Sequence, residues 1–444
     1  MSEWKKVKIG DIFSIEKGSL QSSKCTPGEY DFITAATDWK THNSFDHECE
    51  AIVYAGAASG SLRRAHYVNG KFIASDLCFI LTEKDKKQYP INFLFYQIVF
   101  EMLRDEIVSK TKTGTSKESI NRGNFSNYEI PYFPIEFQLA NYQKFVNAKN
   151  IIKILLEESE KQKNYIKQLR QNILQDAIKG KLTADWRKQN SVQKGNPDYD
   201  AEALFKQIQK EKKYLLATKE LKKGNLPKAI RSNKDLLKYP DSWKWARIDD
   251  LFFVTKLAGF EFTQYFHLTE SGDIPVVRAQ NVRDLTLNKS NLLYIDSKTS
   301  ELLERSALTK PSLLVTFIGA GIGDVGIFEE KERWHLAPNV AKLEPLKNCE
   351  KLISIKLVAL FMLSSFGQKE IFKYMKATAQ PSLSMESIRD ICFPLPPLAE
   401  QNEIVTRVEN HLQTVSDLEN QITKREQLTK TLMQSILRDA FEEK

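Results

Sequence analysis

The chain has 444 residues, 41% of them hydrophobic, and a formal net charge of +8. This length and composition predict two or three domains with ordinary hydrophobic cores, and the basic balance indicates a polyanionic partner. The apolar runs at 93–100 and 357–363 are far shorter than the roughly 18 residues of a membrane span. The first residues do not resemble a signal peptide. Five scattered cysteines without a CxxC spacing do not form a disulfide framework. We therefore expect a cytoplasmic protein.

Residues 1–136 are predicted to form a first module of mostly short strands. The predicted elements are strands at Ala51–Tyr54, Ala65–Val68, Lys71–Ala74 and Cys78–Leu81, a helix at Asn92–Leu103 and a last strand at Tyr128–Phe133. Asn69-Gly70 lies between two of the strands and is a strong signal for a two-residue hairpin turn. Strands that are followed by helices predict a mixed α/β module.

A long helix is predicted over residues 137–181, shortly after Pro134. Its apolar positions step by three and four residues, which is the heptad rhythm of a helix that packs along one side. The resulting seam consists of Phe145, Ala148, Ile152, Leu155, Ser159, Gln162, Ile166, Leu169 and Ile173.

Residues 182–240 are predicted to be a basic linker with a helix of its own. That helix runs from Glu202 to Leu221, and Asp198 or Asp200 is expected near its N-terminus. The lysine excess between Lys206 and Lys238 fits a solvated surface as well as it fits phosphate binding.

The second module, residues 241–397, repeats the order of the first. Its predicted elements are strands at Ile274–Val277, Leu313–Phe317, Gly326–Phe328 and Ala341–Leu343 and helices at Ile353–Leu363 and Lys369–Lys376. A second long helix is predicted over residues 398–444, after Pro397. Its seam is Val408, His411, Val415, Leu418, Ile422, Arg425, Thr429, Leu432 and Ile436.

The two long helices are copies of one another. Ile173–Ala177 and Ile436–Ala440 have nearly the same sequence, and they lie 263 residues apart. Gln138 and Gln401, near the starts of the two helices, are separated by the same 263 residues. An offset that persists without an insertion over a whole helix indicates that the length of the helix matters.

The module openings, which begin at Trp4 and Trp243, are only 239 residues apart, so the second module holds 24 more residues. Two seams of equal length that cannot bury themselves alone should pair with one another, over about 60 Å. We predict an α/β (α+β) chain with two mixed α/β modules, each followed by a long helix, and the helices paired as an antiparallel coiled coil. The alternative is that each helix packs only on its own module.

The chain resembles the specificity subunits of type I restriction–modification systems over essentially its whole length. The resemblance rests on four motifs and on their order and duplication. They are the module opening Trp-x4-Ile-x-Asp-[Ile/Leu]-Phe, the segment Gly180–Arg187 after the first helix, the linker end Tyr239–Trp245, and Pro394–Gln401 leading into the second helix. The corresponding Pro131–Gln138 matches the family pattern only loosely.

The resemblance implies a non-catalytic subunit that recognises double-stranded DNA. Each module would be a target-recognition domain for one half of a split sequence, and the helix pair would set the gap and dock two modification subunits. The resemblance implies no cofactor in this chain: S-adenosylmethionine would bind to the modification subunits and ATP to the restriction subunits. Half-sites read from one face of the duplex should lie near one helical turn apart.

Two segments mimic catalytic motifs. Gly321–Gly326 satisfies G-x-G-x-x-G, but Val325–Phe328 is predicted to continue as a strand, whereas a phosphate site needs a helix there. We therefore expect a tight glycine turn. Asn196–Tyr199 is one residue away from an amino-methyltransferase motif, and we expect a turn there as well. Metal binding by His42, His47 and Cys49 lacks a fourth ligand and a ligand-type spacing.

Candidate DNA contacts are arginines and carboxamides on loops, because these side chains suit phosphates and the base edges of guanine and adenine. An ordinary surface loop is the simpler explanation for each residue taken alone. In the first module the candidates are Arg63, Arg64, Lys117, Asn121 and Arg122. In the second module they are Arg278, Gln280, Asn281, Arg283, Gln380 and Ser382.

Two other function classes remain open from the residues. A coiled-coil scaffold with two protein-binding modules and no DNA role would bind its partners with little dependence on salt, whereas DNA binding weakens steeply with salt. A nucleotide-dependent enzyme would be stabilised by its ligand, and Gly321→Val or Gly323→Val would abolish that effect.

Overall fold

The computed structural model describes residues 5–57, 64–113, 119–221, 239–319, 321–373, 375 and 382–442, with the backbone alone described at 433, 434 and 437–442. The chain divides into two compact units. The first unit holds residues 1–163 and 420–444, and the second holds residues 164–419. Each unit therefore contains one module together with a part of each long helix.

The first module begins with strands and ends with helices, as predicted. Its elements in chain order are β1 (Lys6–Lys8), α1 (Ile9–Ile12), β2 (Phe13–Lys17), β3 (Tyr30–Ile33), β4 (Lys40–His42), β5 (His47–Ala55), β6 (Ala65–Ala74), β7 (Cys78–Glu83), α2 (Phe93–Met102), α3 (Arg104–Thr111), β8 (Lys112–Thr113), β9 (Ser119–Ile120), α4 (Arg122–Asn127) and β10 (Glu129–Pro131). The first long helix, α5 (Ile135–Ile178), follows directly.

A six-stranded sheet forms the centre of the first module, in the order β2-β7-β5-β6-β3-β4. Neighbouring strands are antiparallel except for the parallel pair of β3 and β6. Aromatic side chains fill one face of the sheet, where Phe13 packs edge-on against Tyr96 of α2 at a ring-centroid distance of 5.7 Å. Phe145 of α5 belongs to the same core, and Ile436 packs against it from the second long helix.

The predicted hairpin at Asn69-Gly70 is wrong. Strand β6 runs through both residues, and β5 pairs with it in one unbroken register from His47↔Phe72 to Tyr54↔Ala65. Gly70 adopts φ +120° inside the strand. Long-range pairing with β5 continues through Asn69 and Gly70, so the local turn preference of this dipeptide is overridden.

The second unit contains the linker helices and the second module. Its elements are α6 (Ala184–Gln189), α7 (Ala201–Ala217), β11 (Lys244–Arg247), α8 (Ile248–Leu251), β12 (Phe252–Lys256), α9 (Gly259–Tyr265), β13 (Ile274–Val277), β14 (Val282–Arg283), β15 (Thr286–Leu287), β16 (Leu293–Ile295), α10 (Ser297–Leu302), β17 (Ala307–Leu308), β18 (Ser312–Thr316), β19 (Val325–Phe328), β20 (Trp334–Leu336), β21 (Val340–Pro345), α11 (Ile355–Leu363), α12 (Ser365–Phe372), α13 (Met385–Arg389) and β22 (Cys392–Leu395). The second long helix is α14 (Leu398–Glu442).

The second module repeats the sheet of the first. Its strand order β12-β21-β18-β19 corresponds to β2-β7-β5-β6, and the small pair of β11 and β22 corresponds to that of β1 and β10. A further sheet, β16-β13-β20-β17, has no counterpart of this form among the described residues of the first module. The connection from β12 to β18 covers 257–311, whereas that from β2 to β5 covers only 18–46. Most of the extra length of the second module therefore lies in this connection.

The predicted strands of the second module agree with β13, β18, β19 and β21 to within two residues at each end. The helix expected at Lys369–Lys376 lies four residues earlier, as α12. Ser364 sets its start, because the Ser364 hydroxyl accepts a hydrogen bond from the backbone N–H of Gly367 at 3.1 Å.

Two equivalent glutamines join each module to its long helix. The Gln138 side chain, fully buried, accepts from the N–H of Asn92 at 2.7 Å and donates to the Phe133 carbonyl at 2.7 Å. The Gln401 side chain, also fully buried, accepts from the N–H of Ser354 at 2.8 Å and donates to the Pro396 carbonyl at 3.1 Å. The repeated glutamine thus fixes the start of each helix against the loop that precedes α2 or α11.

The two long helices contact each other in antiparallel orientation, as predicted. In the second unit, Arg170 pairs with Glu419 at 3.0 Å, and Arg407 donates to the Leu182 carbonyl at 2.6 Å. Residue numbers therefore rise along one helix where they fall along the other. In the first unit the contact is an ion pair between Lys163 and Glu426 at 2.5 Å.

Only one of the two predicted positions in each heptad is fully buried on α5. The buried set is Phe145, Ile152, Ser159, Ile166 and Ile173. The other position remains partly open, with Leu155 37% and Leu169 41% exposed on α5, and Leu418 39% and Leu432 43% exposed on α14. The described part of the chain therefore leaves one of the two seam positions partly accessible to solvent. No helix in the described part of the chain is long and apolar enough to cross a bilayer.

Candidate nucleic-acid interface

The predicted loops of the first module meet at the end of β5. The loop after β5 carries Arg64, and the segment before α4 crosses it through a bridge between Ala57 and Ser119. The N–H of Ile120 also donates to the Gly56 carbonyl at 2.8 Å. The two segments that were predicted separately are therefore neighbours. Arg63 and Lys117 lie outside the described residues.

Arg64 is half-buried, and its guanidinium donates to the Ala35 carbonyl at 2.9 Å. The charge of Arg64 also affects the pKa of His66, which lies two residues further along the chain in β6. Burial lowers the pKa of His66, and the positive charge of Arg64 lowers it further against hydrogen bonds that oppose the shift. The neutral imidazole accepts a hydrogen bond from the indole of the exposed Trp39 at 3.3 Å, if Nδ1 is the unprotonated nitrogen.

The second module has the same junction at the end of β18. Ile318 bridges Ser382, and the N–H of Leu383 donates to the Phe317 carbonyl at 3.0 Å. The loop that follows β18 is the glycine loop Gly319–Asp324, of which Ala320 is not described. Ser382 is half-buried, and Gln380 lies outside the described residues. Both modules thus hold the loop after an equivalent strand by an equivalent segment.

Asn121 and its counterpart in the second module are helix caps. The Asn121 side chain accepts from the N–H of Asn124 at 3.0 Å at the start of α4, and Ser384 accepts from Ser387 at 2.9 Å at the start of α13. Asn121 and Ser384 lie 263 residues apart, as do Ser119 and Ser382. The constant offset of the long helices therefore extends back into the modules, a signal that the sequence contained and that was missed.

Arg122 holds α4 onto the sheet. Its guanidinium donates to the carbonyl of Ile15 in β2. In the second module, Arg389 of α13 donates to the carbonyl of Val254 at 2.8 Å, and Val254 occupies in β12 the place of Ile15 in β2. Arg389 was not singled out by the sequence, because the two arginines occupy different positions of equivalent helices.

The segment after β13 presents its polar side chains in different ways. Asn281 is 1% exposed; its side chain accepts from the N–H of Arg278 at 3.0 Å and donates to the Asn288 carbonyl at 2.9 Å. Arg278 is half-buried and donates to the Asn291 carbonyl at 2.5 Å. Gln280, between them, is exposed and has no hydrogen bond to other described residues. The buried amide of Asn281 therefore shapes the turn, and Gln280 is the carboxamide that this turn leaves accessible.

Arg283 and Asp324 connect this segment to the glycine loop. The Arg283 guanidinium donates to the Asp324 carboxylate, and both side chains are partly exposed, at 47% and 36%. Burial raises the pKa of Asp324, with Asp284 adding to the shift and Arg283 opposing it. Arg278, Gln280, Arg283 and the loop after β18 consequently belong to one continuous region of the second module.

The motifs that mimic catalytic sites have structural roles. Strand β19 begins at Val325, so a strand and not a helix follows the glycines, and Gly319 and Gly323 adopt φ +100° and +87° in a tight turn, as predicted. In the second such motif, Asn196–Tyr199, the Pro197 and Asp198 carbonyls accept hydrogen bonds from the N–H groups of Leu398 and Ala399 at 3.1 Å. These bonds cap the start of α14.

Asp200 caps the N-terminus of α7, as predicted, by accepting hydrogen bonds from the N–H groups of Glu202 and Ala203. A search of the described residues finds no group of three or more histidine, cysteine, aspartate or glutamate side chains that could hold a metal ion.

The chain has two modules of the same architecture, each followed by a long helix, and the loops on their equivalent strands differ. This is the architecture of a recognition protein with two sites. The chain belongs to the type I restriction modification DNA specificity domain family, whose profile matches residues 1–168 and 240–429. As a specificity subunit it recognises DNA, assembles with other subunits of a restriction–modification system and is itself non-catalytic.

Known relatives agree with this assignment. The EcoDI specificity subunit of Escherichia coli is 23% identical over 448 residues, which cover 99% of this chain and 88% of the relative. The EcoBI specificity subunit of E. coli is 29% identical over 168 residues, covering 38% of this chain and 35% of the relative. A solved structure from work on the assembly and conformational transition of the type I R-M system covers 99% of this chain and 98% of its own, with a TM-score of 0.59 and 13% identity. At that identity the likeness shows the fold alone.

Proposed function

We propose that the chain reads a bipartite DNA target, with one half-site for each module. The observation that carries this proposal is the repeated junction, Ala57 with Ser119 and Ile318 with Ser382. An equivalent strand end supports a loop in each module, while the loops themselves differ in length and sequence. Two modules that recognise different DNA sequences need this combination: the strands that support the loops are equivalent, and the loops differ.

The candidate residues divide into those that we propose as direct contacts and those that we propose as supports. Gln280, Arg283 and Ser382 are at least partly accessible, and Arg64 and Arg278 are half-buried at the same loops. We propose these five as direct DNA contacts. Arg63, Lys117 and Gln380 remain candidates from the sequence.

We propose a supporting role for the other candidates, Asn121, Arg122 and Asn281. Asn121 and Arg122 hold α4 by hydrogen bonds with backbone groups, and Asn281 holds the turn after β13 in the same way.

Exposed apolar side chains outside the predicted seams support docking of further subunits on the long helices. In the first unit, Ile151 is 55%, Ile154 62% and Leu428 61% exposed. Contiguous exposed apolar patches mark protein interfaces, and Ile151 and Ile154 lie about one turn apart on α5, so that their side chains are neighbours. We propose that two modification subunits dock here and that they would bind S-adenosylmethionine. ATP-dependent restriction subunits would complete the complex. The chain would act in the cytoplasm without a cofactor of its own.

The test is to co-express the chain with candidate modification subunits and to map methylated bases across the genome. We expect one split motif with a fixed gap, and exchange of a module should change one half of it. An unsplit motif would contradict the two-module reading. Binding that is insensitive to salt, with no motif, would support the scaffold alternative, because phosphate contacts lose affinity as salt rises.

A further inference from the structure

Arg283, at the end of β14, has the most completely defined surroundings of the candidate contacts. All its described hydrogen bonds come from one nitrogen, Nη1, which donates to the Ala279 and Val282 carbonyls at 3.1 and 2.7 Å and to the Asp324 carboxylate. Nε and Nη2 have no partner among the described residues, and the side chain is 47% exposed. The guanidinium is therefore anchored at one corner while its other edge remains available.

The glycine loop presents Asp324 in a fixed place. Gly323 donates from its N–H to the Thr316 carbonyl, and Thr316 donates from its N–H to the Asp324 carbonyl, both at 3.0 Å. A Cβ at Gly321 would lie 2.6 Å from the Asp324 carboxylate and 3.3 Å from Nη1 of Arg283. Any larger residue at Gly321 would therefore displace the ion pair.

Backbone hydrogen bonds also hold the two segments together, so the pair does not depend on its own attraction. Asp284 and Leu285 adopt φ +39° and +69° in the turn between β14 and β15. Leu285 then donates to the Val325 carbonyl at 3.0 Å and accepts from Ile327 at 3.3 Å. Arg283 and Asp324 thus face each other across a rigid junction between the turn and the start of β19.

We propose that Asp324 is a positioning residue that makes Arg283 a reader of guanine in the half-site of the second module. Bidentate recognition of guanine O6 and N7 requires two parallel N–H groups in a fixed plane, and an arginine anchored at Nη1 offers Nε and Nη2 for it. An unanchored arginine would reach phosphates of any sequence.

The charge around the pair favours base reading over phosphate binding. Asp324 pairs with the guanidinium of Arg283, and Asp284 is close enough to Asp324 to add to the rise that burial causes in its pKa. A site that bound only phosphate would gain nothing from this negative charge, since phosphate affinity comes from positive charge that replaces counterions. The inference rests on the proposed function and adds the base that this site reads.

The test is selection of bound sequences from randomised duplex DNA by the full chain, co-expressed with its modification subunits. Asp324→Ala should reduce the preference for guanine at one position of one half-site by roughly tenfold to a hundredfold, the range of one bidentate contact. Arg283→Lys should reduce it at the same position, since lysine keeps the charge without the fork. Asp324→Asn, which keeps an acceptor for Nη1, should restore part of the preference.

A matched control is Glu304→Gln. Glu304 pairs with Arg333 at 2.5 Å in the same module, so this substitution removes an exposed partner of an arginine elsewhere. It should leave every position of the selected sequence unchanged, and all variants should melt within a few degrees of the unaltered chain. Arg283→Lys decides the matter if Asp324→Ala melts early.

An unchanged selected sequence in Asp324→Ala and Arg283→Lys would overturn the inference, above all if Asp324→Ala bound every DNA more tightly. That result would make Arg283 a phosphate contact. Failure of the unaltered complex to select any split sequence would instead overturn the proposed function itself, so the two failures can be told apart.

Discussion

Replacement of Glu400 by alanine should strongly destabilise the second unit. Glu400 lies at the start of α14, is fully buried, and accepts hydrogen bonds from the Thr183 hydroxyl at 2.7 Å, from the Trp243 indole at 2.8 Å and from the Arg187 guanidinium. These groups come from the segment after α5, the opening of the second module and the linker helix α6. One carboxylate therefore joins four parts of the unit.

The magnitude follows from what Glu400→Ala leaves behind. Arg187, only 20% exposed, would lose its counter-charge, and removal of one partner of a buried ion pair costs about 3–5 kcal/mol. The orphaned indole N–H of Trp243 falls within the same loss, because the contributions of one network do not add. Since a domain is stable by only about 5–15 kcal/mol, this change should leave the unit close to unfolding.

Urea denaturation of the full chain, followed by tryptophan fluorescence, measures the effect. The control is Glu409→Ala on the same helix. Glu409 pairs with Lys356 at 2.8 Å, but both side chains are about half exposed, so the loss should stay at or below about 1 kcal/mol. A Glu400→Ala chain that unfolded within 1 kcal/mol of the Glu409→Ala chain would refute the reasoning.

Three further results are expected. Gln138→Ala and Gln401→Ala should each destabilise their own unit by about 1–3 kcal/mol, since buried backbone groups lose partners; denaturation curves that match those of an exposed glutamine substitution would contradict this. Gly323→Val should lower the melting temperature, because φ is +87° and a Cβ would lie 2.9 Å from the neighbouring ring, whereas added ATP or S-adenosylmethionine should raise it in neither chain. Lys163 and Lys430 hold the pKa of Glu426 at about 2, so the ion-pair contribution is complete above the usual value of 4.5 and is lost as pH falls toward 2. The free energy of unfolding should therefore depend less on pH between 4.5 and 2 in Glu426→Gln than in the unaltered chain. An equal pH dependence in the two chains would rule out the effect.

The architecture could be predicted because its signals are periodic or repeated. The 263-residue offset placed both helices, and the heptad steps predicted their pairing, which the contacts of Arg170 with Glu419 confirm in the second unit. The 239-residue offset between the module openings reappears in the same strand–helix–strand start, where α1 and α8 begin at Ile9 and Ile248. Such patterns survive because local geometry and helix length determine them.

The failures concern partners that are distant in sequence. Asn69-Gly70 has the composition of a turn, but β5 supplies a complete set of strand partners, and no local rule contains that information. Arg122 and Asn281 have the residue types of DNA readers, yet Arg122 donates to the Ile15 carbonyl and the Asn281 amide is buried in a turn. Residue type indicates what a side chain can bind, whereas its neighbours determine whether it is available.

Asp324 shows the converse. It lies within a glycine motif that resembles a nucleotide site, and no pattern in the sequence marks its carboxylate as a partner for Arg283, which is 41 residues away. The pairing of Leu285 with Gly326 brings the two together. Specificity in such a module depends on which loop residues the sheet register aligns.

The frame and the loops make opposite physical demands. Apolar burial stabilises a module on its helix but has little directional preference, so it alone would tolerate several placements. Hydrogen bonds of buried groups such as Gln138, Gln401 and Glu400 penalise each wrong placement by the cost of an unsatisfied polar atom, about 1–3 kcal/mol. For the proposed bipartite target this penalty is useful, because an error in the position of a module on its helix would change the gap between the half-sites. The loops after β5 and β18 contain none of these three residues, so loop sequences can differ between the modules without removing these hydrogen bonds.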